Sequence, residues 1–317
     1  MKKEERAKKL SRRSFVKLAG GATLAGTALG IAGFPGLAQA ANSAEDGLNK
    51  SNAVLVDIPK CIGCESCTVA CKVSNELAFN QQEQAKTAKE RAEEPGKGLV
   101  SGTWTSINLY EPVIKGETVR RFVKNQCFHC HQPACASACF AKALYKTPEG
   151  PVVYNQYLCV GCRYCMMACP FDIIRYEWEQ AIPGISKCQM CVEKVEAGET
   201  PSCVSACPKG ALKYGKRADL LREAKERIAA KENGVSYIGD VFGEKEAGGT
   251  SWLYITDVPF EDMRFRTDVT TKPLPSYTEN YMKMTPIIGV SWAAILSGIY
   301  IFTHSKNSKK KSTESDQ

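Results

Sequence analysis

The sequence predicts an α+β body made of short strands and short helices, followed by one membrane-crossing helix. Three observations predict it. All sixteen cysteines fall into four groups of four, with none left over. Three of those groups end in the same apolar continuation, the mark of an internal repeat. Residues 286–303, near the carboxy-terminal end, form one uncharged apolar run.

The quartets come first because they dictate the body. Cys61, Cys64, Cys67 and Cys71 lie in "CIGCESCTVAC", and Cys127, Cys130, Cys135 and Cys139 in "CFHCHQPACASAC". Cys159, Cys162, Cys165 and Cys169 lie in "CVGCRYCMMACP"; Cys188, Cys191, Cys203 and Cys207 lie in "CQMC" and "CVSACP". A disulfide framework suits chains too short to build a core, which this one is not. Tetrahedral zinc uses two separated C-x-x-C pairs, a pattern the fourth quartet alone also fits. The run C-x-x-C-x-x-C-x-x-x-C-P at 159–170 is instead that of a bacterial cubane iron–sulfur site. Four quartets without a remainder predict four [4Fe-4S] clusters, with iron held by all sixteen thiolates.

In such runs the fourth cysteine serves the neighbouring cluster. The two inner quartets therefore exchange: Cys127, Cys130, Cys135 and Cys169 on one cluster, Cys139, Cys159, Cys162 and Cys165 on another. The repeat supports this economy. "CFAKAL", "CPFDII" and "CPKGAL" each place an apolar pair five residues past the last cysteine. Pro148 to Pro151 is turn chemistry and Val152 to Tyr154 strand-like, the strand–helix–strand layout of bacterial ferredoxins. The first quartet departs, because Lys72 rather than proline follows Cys71, and so does the second, where Phe140 follows Cys139. Residues 80–98 read as a polar, helix-prone, solvated insertion. "SGTWTSINLY" and "TVRRFVKN" alternate as strands do. Residues 217–232 place Leu220, Leu221, Ala224 and Ile228 on one face of an amphipathic helix, and 248–260 read as a turn and a strand.

The ends carry targeting signals. "SRRSFVKLAGG" resembles a twin-arginine export signal, and Ala38-Gln39-Ala40 an A-x-A cleavage site, so residues 1–40 are set aside from the fold. They hold eight Lys/Arg and two Asp/Glu, +6 of the net +8, leaving about +2 for the rest. No strongly basic body remains, which argues against nucleic-acid binding. A helix over 286–303 spans about 27 Å, close to the roughly 30 Å of hydrocarbon. Lys306, Lys309, Lys310 and Lys311 follow and favour the cytoplasmic side. Gly289, Ala293 and Ser297 make a smooth stripe suited to another membrane helix. The domains expected are thus a signal at 1–40, an iron–sulfur region at 41–266, a linker at 267–284, a transmembrane helix at 285–304 and a basic tail at 305–317. Within 41–266 the inner module takes about 120–180. The outer module takes 50–80 and 181–215, and 217–266 form a helix-and-strand extension.

With "CVGCRYCMMACPF" and "GEKEAGGTSWLYITDVPFEDM" (243–263), this order closely resembles the exported iron–sulfur subunit of membrane-bound nickel–iron hydrogenases of the hydrogenase-2 type. More widely it resembles the electron-transfer subunits of formate dehydrogenase, polysulfide reductase and dimethyl sulfoxide reductase. The resemblance implies two ferredoxin-like modules of two clusters each. It also guides the outer pairing: Cys61, Cys64, Cys67 and Cys207 on one cluster, Cys71, Cys188, Cys191 and Cys203 on the other. It implies a relay with no catalytic residue of its own. The implied partners are nickel–iron hydrogenase small and large subunits and an integral membrane quinone-reactive subunit, on the periplasmic face. A molybdopterin enzyme as partner, and a zinc or disulfide scaffold without redox role, stay open as alternatives. Beside the ligands, His129 and His131 read as supporting hydrogen bonders or surface residues, and Arg163 and Tyr164 as packing or solvated groups. Lys60, Lys72 and Lys187 either offset cluster charge or are solvated.

Overall fold

The computed structural model describes residues 47, 50–79, 86–94, 97–114, 116–178, 183–230 and 235–314, with backbone alone for 305–314. The chain divides after Gly47 into two units, and every element below belongs to the second, residues 48–317. The export signal expected at 1–40 lies outside the described residues.

β1 (Asn52–Asp57) is buried along nearly its whole length. Its period of two sends Val54 and Val56, with the following Ile58, into the main core, and Ala53 and Leu55 into a second one. After the first C-x-x-C turn comes α1 (Ser66–Ser74). No proline stops it at Cys71, so it runs on through Lys72 for another turn. The insertion contains α2 (Ala88–Glu93), opened by a capping box in which Thr87 and Glu90 satisfy each other's backbone N–H groups. This insertion is not wholly solvated, contrary to the expectation from its polarity. Arg91 and Ala92 are buried; Arg91 pairs with Glu65 and donates to the Ile107 carbonyl at 3.1 Å.

β2 (Thr105–Tyr110) pairs antiparallel with the later strand Arg121–Gln126, joined through the small hairpin of β3 (Val113–Ile114) and β4 (Glu117–Thr118); Arg121–Gln126 is β5. Alternating strands of this kind ordinarily leave one face wet. Here every residue of β2 is buried, because α1 and α2 both pack on it.

The third region repeats a small unit. α3 (Ala134–Ala138) is followed by the hairpin β6 (Leu144–Lys146) and β7 (Val152–Tyr154); α4 (Tyr164–Ala168) by the hairpin β8 (Arg175–Tyr176) and β9 (Ile185–Ser186). Cys169 is extended at the end of α4, as a residue before proline prefers. Then come α5 (Val192–Glu196), α6 (Ser202–Ser205) and β10 (Leu212–Lys216). The three repeated apolar pairs, Ala143-Leu144, Ile173-Ile174 and Ala211-Leu212, are all buried at or beside strand starts. Helices pack in pairs, α3 on α4 and α1 on α6.

α7 (Arg217–Ala230) lays Leu220 and Ala224 on the second core, with Leu221 and Ile228 at its edge. β11 (Trp252–Ile255) completes a sheet of order β10-β1-β11, antiparallel to one side of β1 and parallel to the other. An aromatic cluster ties this extension to the cysteine loops. Phe128 meets Phe171 at 4.4 Å between centroids, and Phe242, Tyr254, Phe260 and Phe265 continue the stack. The last helix, α8 (Pro275–Glu314), is longer than the apolar run at both ends. Its residues 275–304 form a helix long and apolar enough to cross a membrane. Ser291 and Thr303 return their hydroxyls to the carbonyls of Ile287 and Ile299, so they need no other partner in an apolar surrounding.

Candidate metal centre

The short helices and tight loops bring cysteines from distant quartets together. One recess is lined by Cys61, Cys64, Cys67 and Cys207. A second is lined by Cys71, Cys188, Cys191 and Cys203, and a third by Cys139, Cys159, Cys162 and Cys165. Each takes three cysteines from one quartet and one from another. Cys127, Cys130, Cys135 and Cys169 stand close together: after burial, the other three push the Cys130 thiol up, and Cys127 and Cys169 push Cys135 up. All sixteen thiols are free of disulfides.

Loop geometry aims donors at the sulfurs. Gly63 and Gly161 have φ of 72° and 69°, and Glu65 and Arg163, each just before its helix, 59° and 61°. His129, Met190 and Cys191 are left-handed too. Such turns point successive backbone N–H groups inward, a concavity suited to anions. The Met190 N–H donates to Cys188 Sγ at 3.2 Å, and the Gly161 N–H to Cys159 Sγ at 3.4 Å. Gly63 also has no room for a side chain, since a Cβ there would enter the Phe122 ring.

Electrostatics disfavours the thiolate form at these sites unless a cation stands beside it. Burial, with neighbouring thiols adding to it, pushes Cys67, Cys71 and Cys135 up to about 12, and Cys165 to about 11. Against burial, the Lys124 ammonium favours the thiolate at Cys61, Cys67, Cys71, Cys188 and Cys203. A bound cation removes the penalty by holding the thiolate directly.

Of the flanking lysines, Lys72 and Lys187 are buried rather than solvated. Lys187 donates to the Val152 and Cys188 carbonyls at 2.5 and 2.8 Å. Lys72 donates to the Ala78 carbonyl and to Thr103 Oγ1 at 2.9 and 3.0 Å, and Lys60 pairs with Asp57 at 3.1 Å. His129 is fully buried, and its Nδ1 accepts the Val152 N–H at 2.8 Å. Burial, then Lys187 and Lys146, hold its pKa well below the ordinary 6.5. The proton of this neutral ring is therefore on Nε2, which has no partner among the described residues. Arg163 stacks over Tyr176 and Trp178 at 5.4 and 4.9 Å, while Tyr164 is exposed.

Two further groups were hidden from sequence reasoning. Lys124 is buried in β5, and Arg217 is buried at the start of α7. Arg217 donates to the carbonyls of Thr250, Gly243 and Glu244 at 2.9, 3.0 and 3.0 Å, which fixes the "GEKEAGGT" loop. That loop in turn holds the second quartet, through the Ser251 N–H to the Phe128 carbonyl at 3.1 Å and the His131 N–H to the Gly249 carbonyl at 2.9 Å.

The donor set fits cubane iron–sulfur clusters. Among the described residues no three His, Cys, Asp or Glu side chains converge closely enough for a single ion. The thiols of a recess instead surround a void, and buried donors without partners among the described residues, Trp252 Nε1 at the second recess and His129 Nε2, match sulfur acceptors.

Comparison with known proteins agrees. Residues 118–217 match the family model described as a 4Fe-4S dicluster domain. The chain is 40% identical to a protein of Nitratidesulfovibrio vulgaris over 94% of its own length and 78% of that protein's. It is 33% identical to the hydrogenase-2 operon protein HybA of Escherichia coli O157:H7, covering 80% of this chain and 83% of that one. With the iron-sulfur subunit of nitrate-inducible formate dehydrogenase of Escherichia coli K12 it shares 33% identity, over 64% and 67%.

Proposed function

The chain belongs to the family of HybA and the formate dehydrogenase iron–sulfur subunits, and from that premise we propose that it is the electron-transfer subunit of a hydrogenase. It relays electrons through 4Fe-4S clusters between a nickel–iron catalytic unit and a membrane quinone-reactive subunit. It has no turnover site of its own. The observation that carries the reading is the gathering of thiols in fours, each four drawn from two quartets.

When bound, the clusters supply one-electron carriers. The residues of the chain do the rest. Thiolates of Cys61, Cys64, Cys67 and Cys207 hold one cluster, and those of Cys71, Cys188, Cys191 and Cys203 a second. Cys127, Cys130, Cys135 and Cys169 hold the third, and Cys139, Cys159, Cys162 and Cys165 the fourth. Inward N–H groups and buried lysines offset the charge these sulfurs carry. The aromatic stack from Phe128 to Phe265 excludes water between the loops and the extension.

The paired packing of α3 with α4 and of α1 with α6 supports two ferredoxin-like modules, inner and outer. The domain limits are those read from the sequence. α8 anchors the subunit in the cytoplasmic membrane, with the body on the periplasmic face and the lysine-rich tail inside; residues 1–40 direct export by the twin-arginine route. Folding around the clusters before export keeps these thiols from pairing in an oxidising compartment.

Purification from membranes with identification of the companion subunits tests the proposal. A nickel–iron large subunit and a membrane subunit are expected. A molybdopterin subunit instead transfers the relay to a formate-dehydrogenase-like complex, and a colourless chain binding zinc refutes it.

A further inference from the structure

Lys124 Nζ donates to Thr105 Oγ1 at 2.7 Å and Gln126 Oε1 at 2.9 Å, and lies 4.5 Å from the centroid of the Trp252 ring. Among the described residues no carboxylate pairs with it, although it is only 2% exposed. A buried ammonium with neutral partners alone is costly unless something anionic stands near it. What stands near it is thiol sulfur on two sides. Lys124 lines the recess of Cys61, Cys64, Cys67 and Cys207, and also that of Cys71, Cys188, Cys191 and Cys203. Trp252, on which the ammonium sits, lines the second of these.

The geometry points to Lys124 as a charge shared by the two outer cluster sites, raising both reduction potentials together. The inference rests on the proposed relay. In a hop between the two sites one electron leaves one cluster and enters the other: the donor is oxidised by one electron, the acceptor reduced by one, and no proton moves. Each reduced state carries one more negative charge beside the same fixed cation. Lys124 therefore favours reduction at both ends and does not open a large gap between them. Its place is held by β5: one strand pair supplies Thr105 and Gln126, and the parallel pairing of β11 with β1 supplies Trp252.

The test is a potentiometric titration of the purified, cluster-loaded chain followed by electron paramagnetic resonance. Waves are assigned to the outer sites by Cys61→Ser and Cys191→Ser. In Lys124→Met the two outer waves move to lower potential, each reduced-to-oxidised ratio falling at least about tenfold (about 59 mV for a one-electron couple). The two inner waves stay, and Lys124→Arg leaves all four near wild type. Movement of one outer wave alone, of none, or of all four equally overturns the sharing. If Lys124→Met assembles incompletely, Lys124→Gln carries the same titration. If neither neutral variant fills, iron missing from the outer sites alone supports the inference, and iron missing from the inner ones contradicts it. Failure of the relay itself shows separately, as a wild-type chain without iron.

Discussion

Replacing Arg217 by methionine separates the loop-holding role of this residue from the chemistry of the clusters. The guanidinium spans three carbonyls of the 243–250 loop, and that loop holds the Phe128 and His131 backbone of the second quartet. Hydrogen bonds from a charged donor contribute about 2 kcal/mol each. Burial opposes the charge and, although eased by Glu244 and Glu246, holds the pKa at about 10 against the ordinary 12.5. At about 1.4 kcal/mol for each factor of ten, that opposition costs about 3 kcal/mol. Methionine fills the space and escapes that cost but forfeits all three bonds, although the Gly243 carbonyl keeps the Thr250 N–H at 2.9 Å, so the net loss is about 3 kcal/mol. For a body of this size the apparent melting midpoint falls by roughly 6–12 °C. The assay is the thermal loss of far-UV dichroism and of visible absorbance at one fixed scan rate. Lysine, which keeps the charge but lacks the fork, should fall between the two. A methionine variant melting within about 2 °C of wild type would refute this reasoning.

Gly63→Ala should strip the first recess, because a left-handed backbone costs roughly 1–2 kcal/mol for an L-residue and the new methyl enters the Phe122 ring. Iron per chain should fall by about four atoms, whereas Gly198→Ala, at φ 78° in open space, should keep its iron; equal iron in both variants counts against the loop geometry. Lys97 gives a pH signature. Burial, then Arg264 and Arg266, lower its pKa to about 8 from the ordinary 10.5. Between those values the unfolded chain keeps a proton that the folded one has released, so this group adds stability as pH rises from 8 to 10.5. Urea midpoints at pH 8 and pH 10 should therefore rise less in Lys97→Met than in wild type, and identical rises contradict the assignment.

Much of this was legible in the sequence, for physical reasons. Thiolate spacing is set by the size of a cubane, so Cys159 to Cys169 announce their chemistry whatever surrounds them. The apolar pairs after each quartet, and Leu220 and Ala224 on α7, follow ordinary periodicity. Lys124 was not legible, because a lysine in an alternating strand reads as facing water. Its strand is instead covered by β2 on one side, and Lys124 lines two thiol-lined recesses, a setting no local pattern records. Arg217 at the first position of a polar helix reads as solvated for the same reason. The insertion misled through composition, since Arg91 is charged yet docks on Glu65 inside the first quartet's loop. The lower end of α8 was hidden by its polar residues, which continue a helix without looking like a membrane span.

Iron and acid-labile sulfide, measured on the full mature chain purified from membranes, test the conductor reading most directly. About sixteen atoms of each per chain, in a brown protein that bleaches with dithionite, is the predicted result. Zinc in place of iron, or cysteine sulfurs bonded to one another, would contradict it.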